Sequence, residues 1–373
     1  MSNPIENRYD FSLLFDVTNG NPNGDPDAGN MPRTDIETGL GLVTDVCIKR
    51  KVRNYVELIK NDEAPYRIYI QNRQTLNELD EQALAANGID TTRGAKDAMK
   101  KAVTAAKKDN EQLDKDVAHF MCDNFFDIRT FGAVMTTFTA TGLNCGQIRG
   151  PIQMGFAQSI DPIMPTEITI TRAAVTTADD ATTKNNTMGS KWIVPYGLYR
   201  MDGHVSAALA QKLTGFSDDD LALFWDALLN MFEFDHAAAR GNMATRKLYV
   251  FKHDSPLGNA PSYKLFDTIK ATRKDNVAVP RYFSDYNINV DAIVEYLKSS
   301  DKKEETFKDY MAGIVDATKD LRIKIEKCLE EMDVKMTLQS SNPPYTKRII
   351  YDASWKRDKA SSDLLHIKVW LDK

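Results

Sequence analysis

Cysteine, histidine and long apolar runs are scarce in this chain of 373 residues. These scarcities argue against disulfide-stabilised, metal-binding and membrane-spanning proteins, respectively. The four cysteines, Cys47, Cys122, Cys145 and Cys328, lie far apart and form no C-x-x-C pair. No stretch of about 18 apolar residues is present, so no membrane-spanning helix is predicted. Walker and nucleophile-elbow motifs are also absent. The sequence predicts a reduced, cytoplasmic protein without a metal or another cofactor.

The chain also lacks an excess of positive charge, with 48 lysines and arginines against 53 aspartates and glutamates. A net charge of −5 argues against a protein that is basic throughout, as many nucleic-acid binders are. A local basic stripe can still neutralise phosphates on an acidic protein. The composition therefore leaves nucleic-acid binding open, and the clustering of lysine and arginine becomes the informative feature.

The clearest basic cluster lies on a helix predicted over about residues 45–60, with Thr44 as its N-cap. Apolar residues at helical spacing are expected to meet the core, namely Ile48, Val52, Tyr55, Val56 and Ile59. Lys49, Arg50 and Arg53 fall on another side, with Lys51 flanking them. This face is either a phosphate-binding surface or a solvated face without a ligand.

Two further segments favour contact with RNA. Gly146-Gln147-Ile148-Arg149-Gly150 is an arginine-bearing turn, in which glycine lets the backbone approach a phosphate and arginine can bind it with two hydrogen bonds. Residues 176–191 are polar except for Met188 and lie between extended runs, which predicts a protruding hairpin. An exposed apolar side chain at such a place is typical of a wedge against a base step or of a protein contact.

Strands and helices are mixed without a steady βα alternation, which favours an α+β domain built on an antiparallel sheet. Residues 8–17 alternate and predict a half-buried strand, with Asp10, Ser12 and Asp16 on the solvent side. Residues 66–70 predict a short strand, and about 75–117 a helical insertion. In the tail, residues 307–332 repeat as a helical seam, and 349–351 is expected to pair with 365–371.

Loop aspartates suggest a different chemistry. Asp16, Asp25, Asp27, Asp35 and Asp45 could serve a metal-dependent nuclease, because paired metals in phosphoryl transfer need carboxylates. Turn formation explains most of these residues equally well. A protein-only interaction module, resting on the 307–332 seam, is the third hypothesis.

Several motifs in this order resemble the crRNA-binding backbone subunit of the type I-C CRISPR Cascade complex, a member of the RAMP superfamily. They are residues 15–30, 41–55, 129–135, 146–151, 187–189, 194–199 and 254–260. The long first block, Phe-Asp-Val-Thr-Asn-Gly-Asn-Pro-Asn-Gly-Asp-Pro-Asp-Ala-Gly-Asn, is the most specific. The matches span about residues 8–270. The 75–117 insertion is longer than the resemblance leads us to expect, and the region after about 290 is a large extension whose heptad-like stretch does not map onto the family.

The resemblance implies an RRM-like (ferredoxin-like) palm over residues 1–290, with helical insertions and a thumb hairpin at about 172–195, followed by an extension at 291–373. Copies of such a subunit stack along one crRNA, which then pairs with the target DNA strand. The implied RNA-binding residues are Lys49, Arg50, Arg53, Arg129, Gly146, Gln147, Arg149, Gly150, Arg172, Met188 and Lys191.

The resemblance also implies the partners: crRNA, target DNA, further copies, the processing, large and small Cascade subunits, and a recruited helicase-nuclease. It implies a scaffold rather than an enzyme, because cutting belongs to that separate protein. A RAMP-type RNA nuclease using loop aspartates is the alternative.

Overall fold

A computed structural model describes residues 3–89, 96–174, 187–258 and 260–293, together with the backbone of 312–313, 335–341, 348–356 and 364–370. The strands are β1 Tyr9–Gly20, β2 Gly24–Asp25, β3 Met31–Pro32, β4 Leu40–Val43, β5 Gly132–Val134, β6 Gln147–Arg149, β7 Ile152–Met154, β8 Ala157–Pro162, β9 Thr166–Arg172, β10 Thr187–Val205, β11 Asn242–Lys252, β12 Lys270–Arg273, β13 Tyr286–Asn289, β14 Ala312–Gly313, β15 Lys335–Ser341, β16 Arg348–Lys356 and β17 Leu364–Trp370. The helices are α1 Asp45–Lys60, α2 Leu76–Ala86, α3 Lys96–Asp109, α4 Leu113–Asn124, α5 Phe126–Phe131, α6 Thr136–Thr141, α7 Ala207–Leu209, α8 Asp218–Asn230 and α9 Ser262–Phe266.

The central sheet has the strand order β14-β11-β1-β10-β8-β4, and β7 and β9 also pair with β10. Every pairing in it is antiparallel, and β1 lies between β10 and β11. Leu13, for example, is opposite Met201 on one side and Leu248 on the other. The prediction of a mixed fold built on an antiparallel sheet is confirmed.

Strand β1 is buried on both faces, so the prediction of a half-buried strand is wrong. Its odd-numbered apolar residues pack in the main core with α1 and α8. Its other face is covered by residues 260–293, which form a second hydrophobic cluster with Leu14 and Tyr249. Asp10, Ser12 and Asp16 lie under this cover and not in solvent.

The buried carboxylates of β1 are accommodated by polar partners. Asp10 lies 3.0 Å from Arg8 Nη2, 2.6 Å from His204 Nδ1 and 2.8 Å from His253 Nε2. Burial by itself would raise the pKa of Asp10, but these hydrogen bonds and the Arg8 charge hold it well below its usual range. At Asp16, which binds Arg246 at 2.9 Å, burial prevails and raises the pKa.

Helix α1 begins and ends as predicted, and the Thr44 hydroxyl caps it by accepting a hydrogen bond from the Cys47 amide. Four of the five predicted core residues are buried, but Ile59, in the last turn of the helix, is 43% exposed. Ser217 caps α8 in a capping box with Asp220.

The predicted helical insertion is confirmed as α2, α3 and the beginning of α4, which pack with α6 in a third hydrophobic cluster. The short strand predicted at 66–70 is wrong. Side-chain carboxylates take up its backbone donors, since Asp127 accepts from the Tyr69 and Ile70 amides at 2.8 and 3.1 Å and Asp62 from the Ile68 amide at 2.8 Å.

Strand β9 pairs with Thr187–Ile193 of β10 as a two-stranded ribbon, and every residue of β9 is exposed. The ribbon confirms the arms of the predicted hairpin, whereas residues 175–186 lie outside the described chain. In the tail, β16 pairs with β17, as predicted for 349–351 and 365–371. The 307–332 seam lies outside the described residues except for β14, a short strand beside β11.

Candidate nucleic-acid interface

Helix α1 divides its basic residues between two sides. Val46, Arg50 and Asn54, spaced four residues apart, line an open cleft of about 730 Å³. Lys49 and Arg53 lie on another side, where both side chains contact the ring of Phe131 at 5.6 and 5.4 Å from its centroid. The predicted basic face is therefore two surfaces rather than one.

The cleft lies between the start of α1, the loop after β1 and the segment before β11. The loop contributes Asn21, Asn23 and Arg33, and Arg240 comes from the segment that precedes β11. Asn23 anchors the loop to α1, because its Oδ1 accepts hydrogen bonds from the Thr44 amide and hydroxyl, each at 2.9 Å. The Asn- and Gly-rich loop thus forms one wall of the cleft.

Positive charge dominates the cleft, since Arg33, Arg50, Lys51 and Arg240 line it with Asp235 as the single carboxylate. Asp235 binds both Lys51 and Arg240, the latter at 2.6 Å. Arg50 donates to the Ile70 carbonyl at 2.6 Å, and burial and the like charge of Arg53 lower its pKa. Four cations and one carboxylate line the cleft, and Asp25 beside it binds Arg33 at 3.3 Å, so positive charge still exceeds negative charge, a balance that attracts phosphates.

Sequence reasoning missed Arg33, Arg240 and Phe156 in this cleft. Arg33 follows the Asn- and Gly-rich block, and Arg240 precedes Gly241, whose φ of +60° turns the chain toward β11. Arginine next to a loop glycine was the signal used at Arg149, and it would also have found Arg240. No local signal indicates Phe156, which becomes visible only through its 59% exposure.

Arg129 does not lie on any surface, and its predicted RNA contact is corrected. It is 1% exposed, its guanidinium binds Asp220 through Nε at 2.9 Å and Nη2 at 2.7 Å, and Nη1 donates to the Cys122 carbonyl at 2.6 Å. These donors are already used inside the protein. Arg129 joins α5 to α8 as a structural ion pair.

Arg53 is corrected for the same reason, because it is buried and its Nε binds Asp127 at 2.7 Å. Lys49 is mostly covered as well, with its ammonium 2.7 Å from Asp45 one turn earlier. The three residues predicted to form one exposed surface thus behave differently, and Arg50 alone lines the cleft.

The prediction of a glycine-arginine turn is wrong, because Gln147–Arg149 form strand β6. This strand pairs with β5 across a connection that contains α6, an arrangement called here the β5–β6 hairpin, and Arg149 is opposite Gly132. Gln147 and Arg149 are exposed. Gly150 is buried, and a side chain there would clash, since a Cβ would lie 2.2 Å from the Phe131 carbonyl carbon. Gly146 is restricted similarly, by the Met135 carbonyl oxygen at 2.7 Å. Both glycines therefore shape the hairpin, while Gln147 and Arg149 are free to face a ligand.

The hairpin and α1 meet at Phe131. The Lys49 ammonium lies over the Phe131 ring, and the next residue, Gly132, pairs with Arg149. The structure therefore brings the helix and the turn, which are about 100 residues apart in sequence, to the same part of the surface.

On the ribbon, Met188 is 73% exposed and lies on the opposite face from Arg172 and Lys191. Its face also carries Trp192, whereas Arg172 and Lys191 share theirs with Ile168 and Ile170. The Arg172 guanidinium donates to the Ala174 carbonyl at 2.9 Å. The ribbon thus offers one face with Met188 and Trp192 among polar residues, and one that combines apolar and cationic side chains.

Three of the loop aspartates each bind a partner of their own. Asp25 binds Arg33 at 3.3 Å, Asp35 accepts from Thr38 at 2.7 Å and Asp45 binds Lys49. Within the described parts of the chain, no group of three or more His, Cys, Asp or Glu side chains could hold a metal ion. No described helix is long and apolar enough to span a membrane.

The family model for CRISPR-associated protein Cas7 matches residues 7–291. The chain belongs to the Cas7 family. A curated Cas7 protein from Haloferax volcanii is 25% identical over 241 residues, which are 60% of this chain and 65% of that relative. The matched part thus spans slightly less than two thirds of the relative's length.

Solved structures with a similar chain include two CRISPR RNA-guided surveillance complexes. One, described as pre-nicking, has a TM-score of 0.45 at 14% identity and covers 83% of this chain and 93% of that chain. The other has a TM-score of 0.44 at 14% identity and covers 83% and 89%. A type III-B Cmr-beta complex bound to cognate target RNA has a TM-score of 0.34 at 11% identity and covers 65% and 61%.

Membership of the Cas7 family confirms the resemblance that the motifs carried, at the level of the family. The seven motifs lie within residues 7–291, as do the cleft, the β5–β6 hairpin and the ribbon. Strands β14–β17 lie beyond the Cas7 match.

Proposed function

We propose that this Cas7 protein is the guide-RNA-binding scaffold of a type I-C CRISPR surveillance complex, and that the cationic cleft beside α1 holds the RNA backbone. The observation that carries the proposal is the cleft itself, in which four cations outnumber Asp235 and Asp25, their carboxylate partners, in an acidic protein. Phosphates are the ligands that such a surface attracts without regard to sequence.

The RNA path extends from the cleft along two further elements. Arg149 and Gln147 on the β5–β6 hairpin contact the backbone beside α1, and the ribbon acts as the thumb of an RRM-like palm. Met188 wedges against a base step, while Arg172 and Lys191 on the other ribbon face contact phosphates. The exposure of these side chains supports the assignment.

Copies of the chain stack along one crRNA in the cytoplasm, and the guide pairs with a target DNA strand. The processing, large and small subunits and a helicase-nuclease are the further partners. The chain is a scaffold and not an enzyme, which the separate ion pairs and hydrogen bonds of Asp25, Asp35 and Asp45 support.

The test uses the full chain, purified at moderate salt. We expect an absorbance ratio that indicates bound nucleic acid, and extracted material that is destroyed by ribonuclease but not by deoxyribonuclease. Protein that is free of nucleic acid and that fails to bind added RNA contradicts the proposal. Incubation with labelled RNA and Mg²⁺ or Mn²⁺ is expected to leave the RNA intact, whereas cleavage lost in Asp25→Asn would favour the nuclease.

A further inference from the structure

One aromatic side chain in the cleft is largely exposed. Phe156 is 59% exposed and lines the same cleft as Arg33, Arg50 and Arg240. Most phenylalanines of the described chain are buried in the three clusters. A single exposed apolar residue is common, but one set among arginines in a concave site calls for a ligand with both a flat apolar part and negative charge.

The backbone at Phe156 is held in place although its ring is not covered. Phe156 lies in the two-residue link between β7 and β8, and both flanking residues, Met154 and Ala157, are buried. The Gly155 amide donates to the Asp202 carbonyl at 3.0 Å, which ties the link to β10. The ring is therefore presented from a fixed backbone, so a ligand meets a surface that is already ordered.

A nucleotide of single-stranded RNA has the required combination. Its base presents a flat face that stacks on an aromatic ring whatever its identity, and its phosphate meets the arginines. An acidic peptide would meet the arginines but would not need the ring. A duplex would offer phosphates but no free base face.

We propose that Phe156 is the platform on which one unpaired base of the bound RNA stacks, with Arg33, Arg50 and Arg240 holding the adjoining phosphates. This inference rests on the proposed RNA binding and names the part of the nucleotide that the protein contacts besides the backbone. Because every base has a stacking face, the contact adds affinity and fixes the position of the strand without reading its sequence.

The experiment compares two probes, a single-stranded RNA and an abasic strand with the same sugar-phosphate backbone, at one salt concentration. For Phe156→Ala we expect about a tenfold loss of affinity for the RNA and no loss for the abasic strand. Phe156→Trp is expected to keep wild-type affinity. The fluorescence of the introduced tryptophan should be quenched when the RNA binds but not when the abasic strand binds. Phe234→Ala is the matched control, because Phe234 is 60% exposed but lies against Tyr55 instead of lining the cleft.

The outcomes separate the inference from the proposed function. If the wild type binds neither probe, the proposed function fails and this inference with it. If the wild type binds RNA but Phe156→Ala binds both probes as the wild type does, or loses both equally, the platform is refuted while RNA binding stands. Loss of self-association alone in Phe156→Ala would assign the ring to a contact between copies and would also refute the platform.

Discussion

Arg129 and Arg50 were both predicted to contact RNA, but the folded protein places them in different surroundings. Arg129 is buried, whereas Arg50 lines the cleft. Around α5, Arg53 and Arg129 are buried and bind Asp127 and Asp220 within the protein. In the cleft, Arg33, Arg50 and Arg240 line open space. Their partners lie at its edge: Asp25 for Arg33, the Ile70 carbonyl for Arg50, and Asp235 for Arg240. A fully buried partner carboxylate thus commits Arg53 and Arg129 to the fold, and that partner can be far away in sequence, as Asp220 is from Arg129.

The comparison is tested most strongly by Arg129→Met. Loss of the guanidinium leaves Asp220 buried without its counterion, so we expect the free energy of unfolding to fall by about 3–5 kcal/mol. Denaturant titration followed by circular dichroism measures it. The double variant Arg129→Met/Asp220→Leu should recover much of the loss, and a single variant as stable as the wild type would show that the pair is not structural.

The triple variant Arg33→Gln/Arg50→Gln/Arg240→Gln is expected to lose RNA affinity and to keep most of its stability, the opposite of Arg129→Met. If these side chains hold RNA as proposed, RNA affinity should fall about 100-fold. Stability should fall by less than in Arg129→Met, because Arg33 and Arg240 pair with carboxylates at the cleft and not in the core. The slope of log affinity against log salt should become shallower by about 2 for a single strand. Lys100→Gln/Lys101→Gln/Lys108→Gln is the control, since it removes the same charge from an exposed face of α3. An equal loss in both triple variants would refute the assignment of binding to the cleft.

A smaller effect of the same kind is expected at the β5–β6 hairpin. Arg149→Gln should lower RNA affinity about three- to tenfold and leave the melting temperature unchanged, because one exposed cation is removed. Gly150→Ala should do the reverse and destabilise the fold through its clash with Phe131. Unchanged RNA affinity in Arg149→Gln would remove the hairpin from the RNA path.

The smallest effect is expected for Lys49→Gln. Asp45 and the Phe131 ring already engage the ammonium, so we expect less than about a threefold change in RNA affinity. A loss as large as that of the cleft variant would show that the Phe131 side of α1 also binds RNA. Replacing Lys49, Arg50 and Arg53 together would not separate the two sides, because Arg53 holds the buried Asp127.

The features that depend on local sequence patterns were predicted correctly. The period of α1, its Thr44 cap, the arms of the ribbon and the antiparallel character of the sheet all follow from neighbouring residues. The burial of Asp10 and Asp16 could not be predicted, because the cover comes from residues 260–293, some 250 residues later. The cleft was missed for the same reason, since Arg33, Arg50, Phe156 and Arg240 meet only through the fold.

Ultraviolet cross-linking of the full chain to single-stranded RNA, followed by mass spectrometry of the peptides, tests the central claim most directly. If the cleft binds RNA, cross-links should concentrate in peptides that contain residues 21–33, 50–54, 156 and 240, with weaker ones at 147–149. They should disappear in Arg33→Gln/Arg50→Gln/Arg240→Gln at the same protein concentration. Cross-links confined to other surfaces, or unchanged in that variant, would contradict the account.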